Sequence, residues 1–96
     1  IKGWKRHSEM VLNIIVPIGK IRFVVYDDRL NSATFSKFQA ITISRENYLR
    51  LTLQPMLWFA FQGLSKNSNI LLNIANIEHG SDEVDKKDIG FFTFEW

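Results

Sequence analysis

The fold is decided by residues 10–27, which carry the sequence MVLNIIVPIGKIRFVVYD. Two runs rich in apolar and β-branched residues flank Pro17 and Gly19. Proline presets φ for a tight turn and glycine tolerates a positive φ, so a turn is predicted at 17–20. We therefore expect strands at 10–16 and 21–27 that pair as a β-hairpin.

The rest of the chain continues the period of two that is typical of strands. Further strands are predicted at 38–44, 48–53, 58–64, 70–77 and 91–96, and the chain already begins within a strand at Ile1. Residues 78–88 are charged and lack apolar periodicity, which predicts a loop or a single helical turn. Turn signals about every 8 to 12 residues favour an antiparallel sandwich or barrel over an α/β fold. We expect one all-β domain over residues 1–96 that lacks an amino-terminal segment.

The composition excludes several classes of protein. The 96 residues are 46% hydrophobic and 14% aromatic, enough for a packed core and unlike a disordered chain. Cysteine is absent, so there is no disulfide framework or thiolate metal site, and a cytoplasmic location is permitted. No apolar run approaches the roughly 20 residues of a membrane-spanning helix, and no signal peptide is visible.

A dense basic patch occurs once, near the amino end, where Lys2, Lys5, Arg6 and His7 flank Trp4. The net charge is only +2, and a nucleic-acid binder usually shows a longer basic stripe. The patch therefore favours a local anion site, for example for a diphosphate, and no nucleic-acid partner is expected. The alternative is a solvated edge strand whose charges prevent aggregation.

Familiar catalytic motifs are missing from the sequence. His7 and His79 lie far apart, so no converging metal ligands are predicted, and there is no Gly-x-Ser-x-Gly elbow or phosphate-cradling glycine loop. Asp27 and Asp28 are adjacent on a strand and point to opposite faces, so at most one of them faces a pocket. The plainer interpretation is a strand end at which Arg29 forms a local ion pair.

Residues 58–61 predict a strand that is apolar on both faces, because Phe59 and Phe61 share one side while Trp58 and Ala60 take the other. Core packing alone explains such a strand. A ligand or a partner subunit on one face explains it as well.

Four stretches of the chain are similar to motifs of one known family. Residues 29–38 (RLNSATFSKF) are similar to Arg-x-x-Ser-Pro-Thr-Phe-Gly-Lys-Trp, and 43–47 (ISREN) to Leu-Ser-x-Glu-Asn. Residues 53–65 (LQPMLWFAFQGLS) resemble Ile-Pro-Pro-Gly-Phe-Ala-His-Gly-Phe-x-x-Leu-Ser, and 1–5 (IKGWK) resemble Val-Arg-Gly-Leu-His. With these motifs the chain resembles the dTDP-4-dehydrorhamnose 3,5-epimerase family. The resemblance weakens after residue 73, and family members are roughly twice this length.

The resemblance implies an antiparallel double-stranded β-helix, the cupin or jelly-roll fold, in a cytoplasmic homodimer. Such enzymes bind a nucleotide-diphospho-4-keto-6-deoxy sugar on the way to rhamnose-containing cell-surface polysaccharides such as O-antigen. A His held by an Asp removes a proton next to the ketone, a Tyr returns one on the other face, and a basic residue steadies the enolate. No metal or organic cofactor is implied, and no membrane partner.

The residues that would carry this chemistry are replaced. Lys5 stands at the catalytic His, Leu72 at the catalytic Tyr and Phe59 at a second pocket His, while the enolate Lys falls near Leu12. A charged lysine is no base and leucine donates no proton, so the ordinary epimerase mechanism does not survive. The predicted substrate-binding residues are Lys2, Lys5, Arg6, Phe59 and Phe61. Of these, the resemblance implies Lys2, in place of the family's Arg, and Phe61, the aromatic residue that packs against the substrate.

Three hypotheses remain open at this point. The chain is a divergent epimerase in which Lys5 or His7, which share a strand face, replaces the base and Tyr26 or Tyr48 is the acid. Alternatively, it is a catalytically silent cupin that binds a sugar nucleotide or assembles with partners. In the third hypothesis it is a β-sandwich interaction module with only architectural similarity.

Three residues near the carboxyl end complete the candidates. Asp82 and Asp85 are candidates for the family's His-orienting Asp, and the alternative for both is a solvated loop. His79 is interpreted as a loop residue, or as a residue that completes a site.

Overall fold

The computed structural model of the protein describes residues 3–74 and 84–96, and all regular elements in these ranges are β-strands. The strands are β1 (Trp4–His7), β2 (Leu12–Ile18), β3 (Ile21–Tyr26), β4 (Phe38–Ile43), β5 (Leu51–Leu53), β6 (Trp58–Gly63), β7 (Ile70–Asn73) and β8 (Val84–Lys87). Within these ranges, no helix has the length and apolar character needed to cross a membrane.

The strands form two antiparallel sheets that pack face to face. The larger sheet has the order β4-β3-β6-β1-β8, and the smaller sheet has the order β5-β2-β7. Apolar side chains from both sheets fill the space between them, which is the main core of the domain. The core consists of Met10, Leu12, Ile14, Val16, Ile21, Phe23, Ile43, Leu53 and Phe59. The prediction of an all-β antiparallel domain architecture is therefore confirmed.

The predicted β-hairpin at 10–27 is wrong, because β2 and β3 lie in different sheets. Both strands bury their alternate apolar side chains in the same core, but from opposite sides of it. The chain turns at Gly19 and Lys20, within the predicted 17–20, and passes there from one sheet to the other. Pro17 and Ile18, which the sequence places in the turn, belong to β2. Gly19 has φ of +91° here, and the backbone of residues 68 and 69 leaves no space for a Cβ atom.

The outer face of the larger sheet is covered by the carboxyl-terminal segment, residues 89–96. Ile89, Phe92, Phe94 and Trp96 pack against a second buried cluster formed by Trp4, Val24, Trp58 and Ala60. The indole N–H of Trp4 donates to the carbonyl of Ile89 at 2.9 Å, and Arg22 donates to the carbonyl of Trp96 at 2.7 Å. The chain itself therefore buries the second apolar face of residues 58–61.

The predicted strand at 91–96 is wrong, although its alternating aromatic residues do turn one side to the sheet. An alternating pattern reports burial on one side and does not require backbone pairing. Conversely, the predicted loop contains β8, which pairs with β1 along its whole length, from Trp4↔Lys87 to His7↔Val84. Most residues of β8 are charged because it is an edge strand, so it shows no apolar periodicity from which a strand could be predicted.

Candidate functional site

A cavity of about 520 Å³ lies between the two sheets. Strands β1, β6 and β8 form one wall, and β2 with β7 forms the facing wall. The residues around it are Lys5, His7, Met10, Leu12, Ile14, Phe59, Phe61, Leu71, Asn73, Val84 and Lys86. The volume is in the range that a small-molecule site needs, and most of the lining is apolar with a few polar groups, as in typical ligand sites.

Strand β1 brings two of the predicted site residues into this cavity. Lys5 and His7 are two positions apart, so their side chains leave the strand on the same face. His7 is buried, with 8% of its surface exposed, and its ring lies nearly parallel to that of Phe59, with 6.1 Å between centroids. Its backbone carbonyl accepts a hydrogen bond from the N–H of Met56 at 2.7 Å, which holds the end of β1 in place.

Strand β6 supplies the aromatic floor of the cavity. Phe59 lies directly opposite Lys5 in the strand register, and Phe61 follows on the same face. Phe61 also packs against Phe23 of β3, with 5.9 Å between ring centroids, so the floor is anchored in the main core. The predicted site residues Lys5, His7, Phe59 and Phe61 thus share one cavity, and their roles there remain predictions.

Arg6 lies on the other face of the larger sheet and does not reach the cavity. Its guanidinium donates to Asp85 at 2.8 and 3.0 Å, lies 3.6 Å from Asp28, and covers the ring of Trp58 at 4.6 Å from the centroid. The structure therefore separates Arg6 from Lys5, and it gives Arg6 an ion-pair role on the outer face. Asp85 pairs with Arg6 on this outer face, so its side chain points away from His7, which faces the cavity.

The predicted acids also lie outside the cavity. Tyr26 packs on the outer face between Phe38 and Phe92, with 4.5 Å between ring centroids in each case. Tyr48 is in a loop and 56% exposed. Leu72 points outward with 50% exposure, and it is its neighbours Leu71 and Asn73 that line the cavity. Three predicted candidates, Lys2, His79 and Asp82, lie outside the described residues.

Lys86 is a cavity residue that the sequence pattern does not single out. It projects from β8 on the same face as Val84 and lies directly opposite Lys5. The segment lacks apolar periodicity, so the pattern predicts no strand there and assigns no face. The weak alternation of Val84, Asp85 and Lys86 is the one signal that points to it.

The motif at 29–38 has a structural role in this fold, centred on the buried carboxylate of Asp27. Arg29 pairs with it through Nε and Nη2, both at 2.9 Å, and the hydroxyls of Ser32 and Thr34 each donate to it at 2.6 Å. The Arg29 guanidinium holds the pKa of Asp27 far below its usual range; the two hydroxyls add to this, while burial opposes it. The predicted ion pair between Asp27 and Arg29 is confirmed, and it fixes the loop between β3 and β4.

The titratable side chains that line the cavity, among the residues that the structure describes, are Lys5, His7 and Lys86, and none of the described lining residues carries a carboxylate. Nor do the described ranges contain a group of three His, Cys, Asp or Glu residues placed to hold a metal ion. The cavity can therefore take an anionic ligand with an apolar ring face, and it can offer that ligand an imidazole and an ammonium group.

Known proteins that are similar to this chain include an epimerase and an isomerase. The chain is 23% identical over 92 residues to the probable low-salt glycan biosynthesis epimerase Agl13 of Haloferax volcanii, covering 95% of this chain and 59% of that protein. The structure superposes on a dTDP sugar isomerase from Desulfovibrio desulfuricans G20 with a TM-score of 0.94 and 33% identity, covering 99% of this chain. No protein-family model matches the chain.

The chain spans about three fifths of each of these proteins, namely 59% of the epimerase and 62% of the isomerase. The chain is thus similar to one protein named as a glycan biosynthesis epimerase and to one named as a dTDP sugar isomerase. The all-β antiparallel architecture is shared with the isomerase over nearly the whole of this chain.

Proposed function

We propose that this chain is a cupin domain that binds a nucleotide-diphospho-4-keto-6-deoxy sugar in the cavity between its sheets and moves a proton on the sugar ring. The observation that carries the proposal is the meeting of Lys5 and His7 above an aromatic floor, in a fold matched by a dTDP sugar isomerase. The name of the Haloferax volcanii relative supports a role in glycan biosynthesis.

Proton abstraction requires a base next to the sugar ring. A hydrogen on the carbon next to a ketone is acidic because the resulting enolate delocalises its charge onto oxygen. A neutral imidazole is suited to remove such a proton near neutral pH. We assign the base to His7 and the packing against the sugar ring to Phe59, while Lys5 binds the charged part of the substrate.

A second candidate function is binding without turnover, as in a silent cupin that serves as an assembly partner. Inversion at a ring carbon needs a proton donor on the face opposite the base. The described part of the facing wall offers Leu12, Ile14, Leu71 and Asn73, none of which is an acid. This observation favours binding alone, or proton exchange in which the same base returns the proton.

Incubation of the protein with dTDP-4-keto-6-deoxyglucose in deuterated water, followed by NMR, tests the proposal. We expect deuterium at a carbon next to the ketone in the presence of the wild-type protein. His7→Gln keeps much of the side-chain volume and removes the base, so exchange should fall about 100-fold or more. Tyr48→Phe, on an exposed loop, is the matched control and should leave exchange unchanged.

Exchange that is equally fast with His7→Gln would overturn the assignment of the base. Binding of the sugar nucleotide without any exchange would identify the silent cupin. Absence of both binding and exchange would contradict the proposed function as a whole.

The proposal extends to a homodimer in the cytoplasm, where nucleotide sugars serve as donors for cell-surface polysaccharides. Sedimentation equilibrium with and without the sugar nucleotide tests the dimer, since a dimer has twice the 11.2 kDa mass of the chain.

A further inference from the structure

Two lysines of like charge lie directly opposite each other on the cavity wall. Lys5 of β1 and Lys86 of β8 are register partners in an antiparallel pair, and both line the cavity. Side chains at such positions project side by side from the sheet, and like charges there destabilise the pairing of the strands. This arrangement therefore lowers the stability of the ligand-free protein.

Two other cations, one on the same sheet and one on a loop, differ from the two lysines, because each of them forms an ion pair with a carboxylate. Arg6 has Asp85 and Asp28 as partners, and Arg29 has Asp27. Among the described residues, no carboxylate lies within ion-pair distance of Lys5 or Lys86. Asp85, the acid next to Lys86 in sequence, is on the opposite face because strand residues alternate. The positive charge of the pair is therefore available to a ligand.

The wall has a gradient of exposure from one end to the other. His7 and Phe59 are buried, Lys5 is half-buried and Lys86 is exposed. The cationic end of the wall is thus the end open to solvent, and the aromatic surface lies deeper. A sugar nucleotide has the same division, with a doubly charged diphosphate beside a sugar ring that has apolar faces.

We infer that Lys5 and Lys86 together form a clamp for the diphosphate of the ligand, so that the sugar ring enters the cavity ahead of it and lies against Phe59 and His7. The inference rests on the proposed function for the identity of the ring, and it adds Lys86 as a binding residue. Ammonium groups suit phosphate oxygens as point charges, and two of them match the two phosphates. Ligand binding then relieves the repulsion between the lysines.

Isothermal titration calorimetry with three probes tests the clamp: inorganic pyrophosphate, dTDP and dTDP-4-keto-6-deoxyglucose. Lys86→Ala should weaken the binding of all three about 10-fold or more, because a charge-assisted contact to phosphate is lost. Lys87→Ala is the matched control. It removes the same charge from the next residue, whose ammonium lies over Phe91 and Trp58 on the opposite face, 4.2 and 5.9 Å from the ring centroids.

Thermal unfolding gives a second readout that a merely structural lysine would not produce. Without ligand, Lys86→Ala should raise the melting temperature, because one of two opposed charges is removed. With dTDP present, it should show a smaller ligand-induced rise than the wild type. Lys87→Ala should show neither change.

The outcomes separate the clamp from the proposed function. If the sugar nucleotide binds wild type, Lys86→Ala and Lys87→Ala alike, the clamp is wrong and the proposed function stands. If the binding of pyrophosphate and dTDP depends on Lys86, but the sugar nucleotide binds no more tightly than dTDP, the clamp stands and the sugar function is wrong. If none of the probes binds the wild-type protein, both are overturned.

Discussion

Replacing Asp27 by asparagine tests whether the motif at 29–38 acts through stability. The carboxylate accepts five hydrogen bonds in the structure: three from Arg29 and one each from Ser32 and Thr34. An asparagine side chain has one accepting oxygen and an NH2 group. The three donors that meet Oδ2, from Arg29, Ser32 and Thr34, would then face another donor.

The expected cost follows from these three lost contacts. A hydrogen bond to a charged group contributes about 1.5–3 kcal/mol, but the values are not additive. Arg29 has a side chain that is 42% exposed, so it can recover hydration, whereas Asp27 is only 3% exposed. We therefore expect Asp27→Asn to lower the free energy of unfolding by about 3 kcal/mol at pH 7.

The pH dependence gives an independent check of the same interaction. The pKa of Asp27 is lowered in the folded protein, so its contribution is complete above the unfolded pKa of about 3.9 and is lost as the pH falls toward the folded value. Below pH 4 the wild type should lose about 1.4 kcal/mol per pH unit through this group. The difference between wild type and Asp27→Asn should therefore shrink below pH 4 and be constant from pH 5 to pH 7.

Urea unfolding followed by tryptophan fluorescence measures both quantities. Asp28→Asn is the matched control, because it changes the adjacent carboxylate, which accepts from the indole of Trp58 at 2.8 Å and is partly exposed. The control should cost less than about 1 kcal/mol, since the amide oxygen can still accept and the contact with Arg6 is near the surface. Equal costs for the two variants, or a difference that does not change below pH 4, would refute the reasoning.

Two further substitutions test the fold and the face assignment. Gly19→Ala should lower stability by at least about 2 kcal/mol in urea unfolding, because φ is positive and a Cβ atom has no space; Gly90→Ala, where a Cβ atom meets nothing within 4 Å, should have little effect. Asp85→Asn should cost less than about 1 kcal/mol and leave deuterium exchange on the sugar unchanged, because Asp85 pairs with Arg6 on the outer face; a fall in exchange would make it a positioning residue for the site.

Alternation along the strands is enough to group most of the site residues from the sequence alone. It places Lys5 with His7 and Phe59 with Phe61, and the sheet register then brings these two pairs to one cavity. The same rule applied to Arg6 separates it from Lys5. The basic run in the sequence groups Arg6 with Lys5, but adjacent residues of a strand face opposite ways.

The local sequence pattern does not determine which strands pair with each other. The segments that form β2 and β3 look like a hairpin because both are apolar and a turn joins them. Whether they pair or cross to opposite sheets depends on β5, β6 and β7, which are distant in sequence. Strand β8 is hidden for another reason, because its pairing with β1 is carried by backbone hydrogen bonds and its side chains are mostly charged.

The two faces of β1 link the stability of the domain to the geometry of its site. Trp4 is fully buried under residues 89–96 and donates a hydrogen bond to Ile89, whereas Lys5, the next residue, faces the cavity. A four-residue strand has little freedom to move one face without the other. The packing of the carboxyl-terminal aromatic residues on the outer face therefore determines where Lys5 and His7 stand relative to Phe59, and loosening that cover should disturb the cavity although no residue of the cover touches it.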